Sequence, residues 1–416
     1  MRTQNRVASL LVAAVLCAPL TLAACSSGSS GSSSTSGSSG TSSSSGSSGS
    51  SGGDYQVGLS VDLSGPLASL GGPMRDGYAS YFKQVNADGG INGHQVHLNV
   101  LDDQSTPTLG VANVKQFISQ DNVSVIGALL SNVLVAAAPV AVANETPIMS
   151  NGTPNSSVFP AQPYVFAAGT LVGDEPGPMI QFASDRGEPA AAKVGIIMIQ
   201  SAALSGFNSN LVKLSQQKGW KVVVNQQIPL TATSATSEAL AAAHAKPNVI
   251  FCALLDPLFI SAVKTLRQEG FTGLVINYDG GAAASTLQQL HDPNVAVISA
   301  YGYAGEVGAT TGIAGYVEAA KAYGVNPSLP FEINGYAQAE IIATALKVCG
   351  YPCAGKNMEN ALEQVSSLNT GGVMVAPFTF STTAHSGISG VQFFGWSSAD
   401  NAPKAVSAVL PIPHIS

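Results

Sequence analysis

The chain of 416 residues is short of charge: Asp, Glu, Lys and Arg make up only 10% of it, against about a quarter of an ordinary soluble domain. It meets water with Ser, Thr, Asn, Gln and backbone rather than with ion pairs. It also lacks a basic face. The formal net charge is −7, from 17 basic and 24 acidic residues. Arg2 and Arg6 fall in the first six positions, so the body beyond them is more acidic still. A body of that kind excludes nucleic acid and an anionic lipid surface as partners. Long apolar runs are missing except near the N-terminus, which excludes a multi-span membrane protein. An apolar content of 45% excludes a disordered body. The length suggests two domains.

Residues 1–24 read as an export signal, with Arg2 and Arg6 before the apolar stretch Val7–Leu20 and a small-residue site at Leu22-Ala23-Ala24-Cys25. This site resembles the lipobox of bacterial lipoproteins, which implies an acylated Cys25 and anchorage to the cell membrane. An uncleaved anchor is the alternative. Residues 25–53 follow as lipidated cysteine and linker, all Ser, Gly and Thr after Cys25. Such a segment is a flexible tether reaching roughly 30 Å. Gly49-Ser50-Ser51-Gly52-Gly53 fits a hydrolase pattern by accident, because that motif needs a strand before it and a helix after it.

From Asp54 onward strand and helix patterns alternate. Strands are expected at Tyr55–Leu63, Gln95–Leu101, Val123–Leu129 and Pro147–Ser150, with helices at Gly72–Ala87, Leu109–Gln120 and Val133–Asn144 between them. Asp88-Gly89-Gly90 is a glycine-type helix stop. A second series runs from Pro176 to Ala300, with strands at Lys193–Ile199, Lys221–Ile228, Asn248–Leu254, Leu274–Tyr278 and Val295–Ala300. Three further helices and strand signals at Phe378–Phe380 and Val391–Trp396 close the chain. Repeated β-α units imply doubly wound parallel sheets, whose ligands sit beyond the carboxyl ends of the strands. The fold class is α/β with two lobes and a cleft.

Several segments together carry a specific resemblance: Ser64-Gly65-Pro66-Leu67, Gly71, Arg75-Asp76-Gly77, Asn86-Ala87-Asp88-Gly89-Gly90-Ile91-Asn92-Gly93 and Asp102-Asp103. They resemble the opening of the branched-chain amino-acid (Leu/Ile/Val)-binding proteins of ABC importers, and the likeness extends over residues 54–400. It implies a type I periplasmic-binding fold with a three-crossing hinge. Residues 54–168 and 300–388 would form the N-lobe, and residues 169–299 and 389–416 the C-lobe. It further implies a small-molecule ligand, an ABC permease as partner, a monomer, and no enzymatic activity or cofactor. A stand-alone envelope sensor signalling to a membrane partner is the alternative that the receptor sequence leaves open.

Ser131 follows a strand where a helix begins, an arrangement that suits an anion and equally suits a simple cap. The resemblance implies that Ser131 receives the ligand's carboxylate, that Asn151, Gly152 and Thr153 add polar contacts, and that Asp279 receives an α-ammonium. Without it, Asp279 reads as a turn former. Leu70, Leu130, Ser205 and Leu255 occupy positions at which relatives carry other residues, the last two often tyrosine, so a more aliphatic or roomier pocket is expected.

Gly350-Tyr351-Pro352-Cys353-Ala354-Gly355-Lys356 has the spacing of a phosphate loop, but Asn357 stands where Mg²⁺ needs Ser or Thr. The six histidines show no ligand spacing with Cys or carboxylates, and no metal site is expected. Cys252 reads as an inert core residue. Cys349 and Cys353 are expected to form a local disulfide in an exported protein.

Overall fold

In the computed structural model, residues 53–128, 131–281 and 284–415 are described. The signal, Cys25, the linker before Gly53 and Leu130 lie outside them.

The first series comprises β1 (Tyr55–Val61), α1 (Ala68–Ala87), β2 (Val96–Asp102), α2 (Pro107–Gln116), β3 (Val125–Ala128), α3 (Ser131–Ala143), β4 (Ile148–Ser150) and β5 (Val165–Ala167). Its strands form a parallel sheet in the order β2-β1-β3-β4-β5. The second series comprises α4 (Pro176–Asp185), β6 (Lys193–Gln200), α5 (Ser205–Gln217), β7 (Lys221–Pro229), α6 (Thr236–His244), β8 (Val249–Ala253), α7 (Asp256–Gln268), β9 (Leu274–Asn277), α8 (Ala284–Leu290) and β10 (Val295–Ser299). Then come α9 (Thr311–Tyr323), α10 (Glu332–Cys349), α11 (Gly355–Glu363), β11 (Gly390–Ser397), β12 (Ala402–Ala405) and β13 (Leu410–Pro411).

The second sheet has the order β12-β11-β10-β9-β8-β6-β7, parallel from β7 to β10 and antiparallel beyond. Every residue of β8, β9 and β10 is buried, because helices cover both faces. In the edge strand β7 only Ile228 is buried, and the other residues are exposed or half-buried.

After β10 the chain leaves the second sheet, and α9 and α10 pack on α1 of the first series before β11 returns. Glycine makes the α1–α10 crossing close. A Cβ on Gly77 would lie 2.0 Å from the Glu332 carbonyl oxygen, and one on Gly335 would lie 2.1 Å from that of Met74.

The expected helix stop is present, with Gly89 and Gly90 at φ of 100° and 80°. Helix α1 begins four residues earlier than expected and tolerates Pro73 in its first turns, where few amide partners are lost. Phe378–Phe380 is not a strand. Phe378 makes only an isolated bridge to Leu368, and both phenylalanines are core residues whose burial mimics a strand pattern. Cys349 and Cys353 are bonded to each other. Cys252 is buried in β8, and burial pushes its thiol well above the ordinary range. His94 lies in the turn before β2, stacked on Tyr351.

Candidate ligand-binding site

The strands of both sheets deliver their carboxyl-terminal loops to one cavity of about 620 Å³. From the first sheet, the loop after β1 is built by Asp62, whose carboxylate accepts the Gly65 and Leu67 amides at 2.5 and 2.7 Å and the Ser105 hydroxyl. Those bonds set Leu67 and Leu70 in the wall. Gly71 makes this turn possible, since a Cβ there would lie 1.8 Å from the Asp62 carbonyl oxygen.

Ser131 opens α3 at the cavity, and its hydroxyl donates to the Gly152 carbonyl. Asn151 and Gly152 follow β4 and also line the wall. Asn151 is nearly buried, and its Oδ1 accepts from Asn334 and Gln338 of α10, both at 3.1 Å, and from the Tyr301 hydroxyl at 3.4 Å. Its amide plane is therefore held by residues far along the chain. Thr153 turns away: it is fully buried, outside the cavity wall, with its hydroxyl 3.5 Å from the Ser150 carbonyl. Ser205 begins α5 but lines a different, polar hollow with Gln200, Asn208 and Gln227. Thr153 and Ser205 thus depart from the expected set because strand-end loops curl by a residue or two, which local pattern does not show.

From the second sheet come Ile199, Leu204, Leu230, Leu255, Tyr278 and Asp279. Val135, Val172 and Phe331 extend the apolar surface. The wall is more aliphatic than tyrosine-lined, as Leu70 and Leu255 suggested. It is not free of aromatics, because Tyr278, at the end of an expected strand, and Phe331 reach it.

Among the described residues no Lys, Arg or His lines this cavity, and Asp279 is its one carboxylic acid. Thr170 donates toward Asp279 Oδ2 at 3.1 Å, and the Asp279 amide donates to Glu175 Oε2 at 3.0 Å. Burial pushes the Asp279 carboxyl up to about 6, opposed by hydrogen bonds from Ser299, Thr170 and the Ala300 amide. Glu175, directly behind it and fully buried, is raised well above the carboxylate range by burial and then by the charge of Asp279. The phenols of Tyr278, Tyr301 and Tyr303 around the pair are also raised by burial. Glu175 and Thr170 were not singled out from sequence, where an acid ahead of Pro176 reads as an ordinary first-turn residue.

The histidines differ from their sequence spacing. His385 is buried beside Glu363 at 3.3 Å, and His414 meets Asp174 at 3.3 Å, partners brought together by folding. Among the described residues no group of three or more His, Cys, Asp or Glu side chains could hold a metal ion, and no helix is long and apolar enough to cross a membrane.

A cavity closed by the strand ends of two α/β sheets, with one acid in an aliphatic wall, defines a binding protein for a small organic molecule. The chain belongs to the periplasmic binding protein family, whose model matches residues 54–401. Over 102 residues it is 32% identical to the Leu/Ile/Val-binding protein homolog 1 of Brucella abortus (strain 2308). That match covers 24% of this chain and only 28% of the relative. Among solved structures, a branched chain amino acid ABC transporter protein of Thermus thermophilus with bound valine superposes with a TM-score of 0.77 at 14% identity, covering 86% of this chain and 97% of that one. The fatty acid ABC transporter substrate-binding protein of Thermomonospora curvata superposes at 0.72 with 17% identity, covering 86% and 92%. These neighbours share the type I periplasmic-binding fold with this chain.

Proposed function

We propose that this chain is a lipid-anchored, extracytoplasmic solute-binding protein of an ABC importer, and that its ligand is a small aliphatic zwitterion of the amino-acid kind. The observation that carries this reading is the pairing, among the described residues, of one acid, Asp279, with an aliphatic wall and no basic residue. An ammonium group would dock on Asp279, the carbon chain on Leu70, Val172, Leu204 and Leu255, and the carboxylate at the start of α3 beside Ser131. An isolated anion would meet no counter-charge and an acid instead. Valine in the Thermus thermophilus neighbour is a ligand of this chemistry; the fatty acid of the Thermomonospora curvata neighbour's name is not.

Capture would proceed by closure of the two lobes, 54–168 with 300–388 and 169–299 with 389–416, about the three passages between the sheets. The closed form would be presented to a permease, with Cys25 as the lipid anchor and residues 26–53 as the tether. Calorimetric titration of the purified protein with L-leucine, L-valine, hexylamine, hexanamide and hexanoate tests the ligand class. Binding of L-leucine, L-valine or hexylamine with no heat from hexanoate is expected, and the reverse order refutes the reading. Metabolic labelling with palmitate, lost in Cys25→Ser, tests the anchor.

A further inference from the structure

Glu175 and Asp279 meet at one hydroxyl. Thr170 Oγ1 lies 2.9 Å from Glu175 Oε1 and 3.1 Å from Asp279 Oδ2. A threonine hydroxyl carries a single hydrogen, so it can donate to one of these oxygens only. The other contact is a hydrogen bond only when that carboxyl is itself protonated and donates to Thr170. Two ionised carboxylates would leave one oxygen facing the hydroxyl's lone pairs inside the protein, an unfavourable contact in a low-dielectric setting.

The surroundings decide which carboxyl holds the hydrogen. Asp279 also accepts from the Ser299 hydroxyl and the Ala300 amide, bonds that favour the ionised form, and it opens to the cavity. Glu175 is fully buried and has the Asp279 amide as its other partner. The remaining charged groups nearby are acidic: Asp174 next to it in the chain, Asp256 near Tyr278 and Tyr303, and Glu306 beside Tyr303. His414 is turned to Asp174, at 3.3 Å. The phenols of Tyr278, Tyr301 and Tyr303 stay neutral in their buried positions.

We propose that Glu175 is a positioning residue that keeps a proton at neutral pH, donating to Thr170, which in turn donates to Asp279, so that a ligand's ammonium meets a single oriented negative charge. This rests on the reading of Asp279 as the ammonium acceptor and adds the residue that sets its charge. A cationic ligand favours loss of the Glu175 proton, so its affinity rises with pH above 7 as Glu175 titrates.

Carboxyl carbon NMR of the ligand-free protein tests the assignment without any ligand. The resonance lost in Glu175→Gln is expected at the protonated-acid position at pH 7, and the one lost in Asp279→Asn at the ionised position. An ionised Glu175 overturns the proposal. Hexylamine titrations supply the second arm. Glu175→Leu weakens binding by about tenfold, while Glu175→Gln, which keeps a donor toward Thr170, recovers most of that loss and flattens the rise in affinity above pH 7. A wild-type slope retained in Glu175→Gln refutes the proposal. Should Glu175→Leu fail to fold, the wild-type spectrum and the Glu175→Gln profile decide. A protonated Glu175 in a protein that binds neither hexylamine nor L-leucine sinks the ammonium reading of Asp279 and leaves the proton assignment standing.

Discussion

The two sheets contribute opposite chemistries to one cavity. The first-sheet side offers neutral groups already engaged with one another: Ser131 with Gly152, and Asn151 with Asn334, Gln338 and Tyr301. The second-sheet side offers an acid with another acid buried behind it and, among the described residues, no basic residue in the cavity wall. A saturated polar wall orients a ligand, whereas a buried carboxylate without a counter-charge draws one of opposite sign. In a chain so poor in charge, the placement of two carboxyls here is the feature that separates the halves of the site.

The comparison breaks most visibly at Asp279. Asp279→Ala is expected to weaken L-leucine binding by about 2–5 kcal/mol, the cost of leaving a desolvated ammonium unpaired, and calorimetry reads it directly. Removing shape on the neutral side acts on the fold instead. Gly71→Ala places a methyl 1.8 Å from the Asp62 carbonyl oxygen and is expected to cost about 1–3 kcal/mol of stability, measured by denaturant unfolding.

Ser131→Ala is a smaller change, about 1 kcal/mol in affinity for L-leucine and nothing for hexylamine, which has no carboxylate. Equal losses for both probes would show that Ser131 only caps α3. Proton linkage gives a further contrast. Glu175 is raised above its ordinary 4.5 in the folded state, so the native protein holds this proton more tightly than the unfolded chain. Its contribution is fully present below pH about 4.5 and is lost as pH rises toward the folded value. Thermal melts of Glu175→Gln should therefore gain on wild type as pH increases above 4.5. The smallest effect is expected at Ser205, which faces another hollow; Ser205→Ala should leave L-leucine affinity within about 0.5 kcal/mol.

Local pattern placed the strand ends, which apolar runs and turn residues announce, while the resemblance singled out Ser131, Asn151, Gly152 and Asp279 among them; all four lie on the cavity wall. Thr153, expected with them from the resemblance, is buried outside the cavity wall, since a strand-end residue can turn inward without any change in the pattern. Glu175 was invisible because its partner Asp279 is 104 residues away, and nothing local distinguishes it from a helix-start acid. The α10 side chains that orient Asn151 are 183 and 187 residues from it.

By itself the sequence determined the alternation of strand and helix, the turns that carry the loops to the cavity, and the scarcity of charge, because each depends on residues within a few positions of one another. Tertiary structure alone decided where the few charges meet. Only the meeting of the start of α4 with the turn after β9 brings Glu175 and Asp279 to one threonine hydroxyl, with Glu175 fully buried behind an Asp279 that lines the cavity.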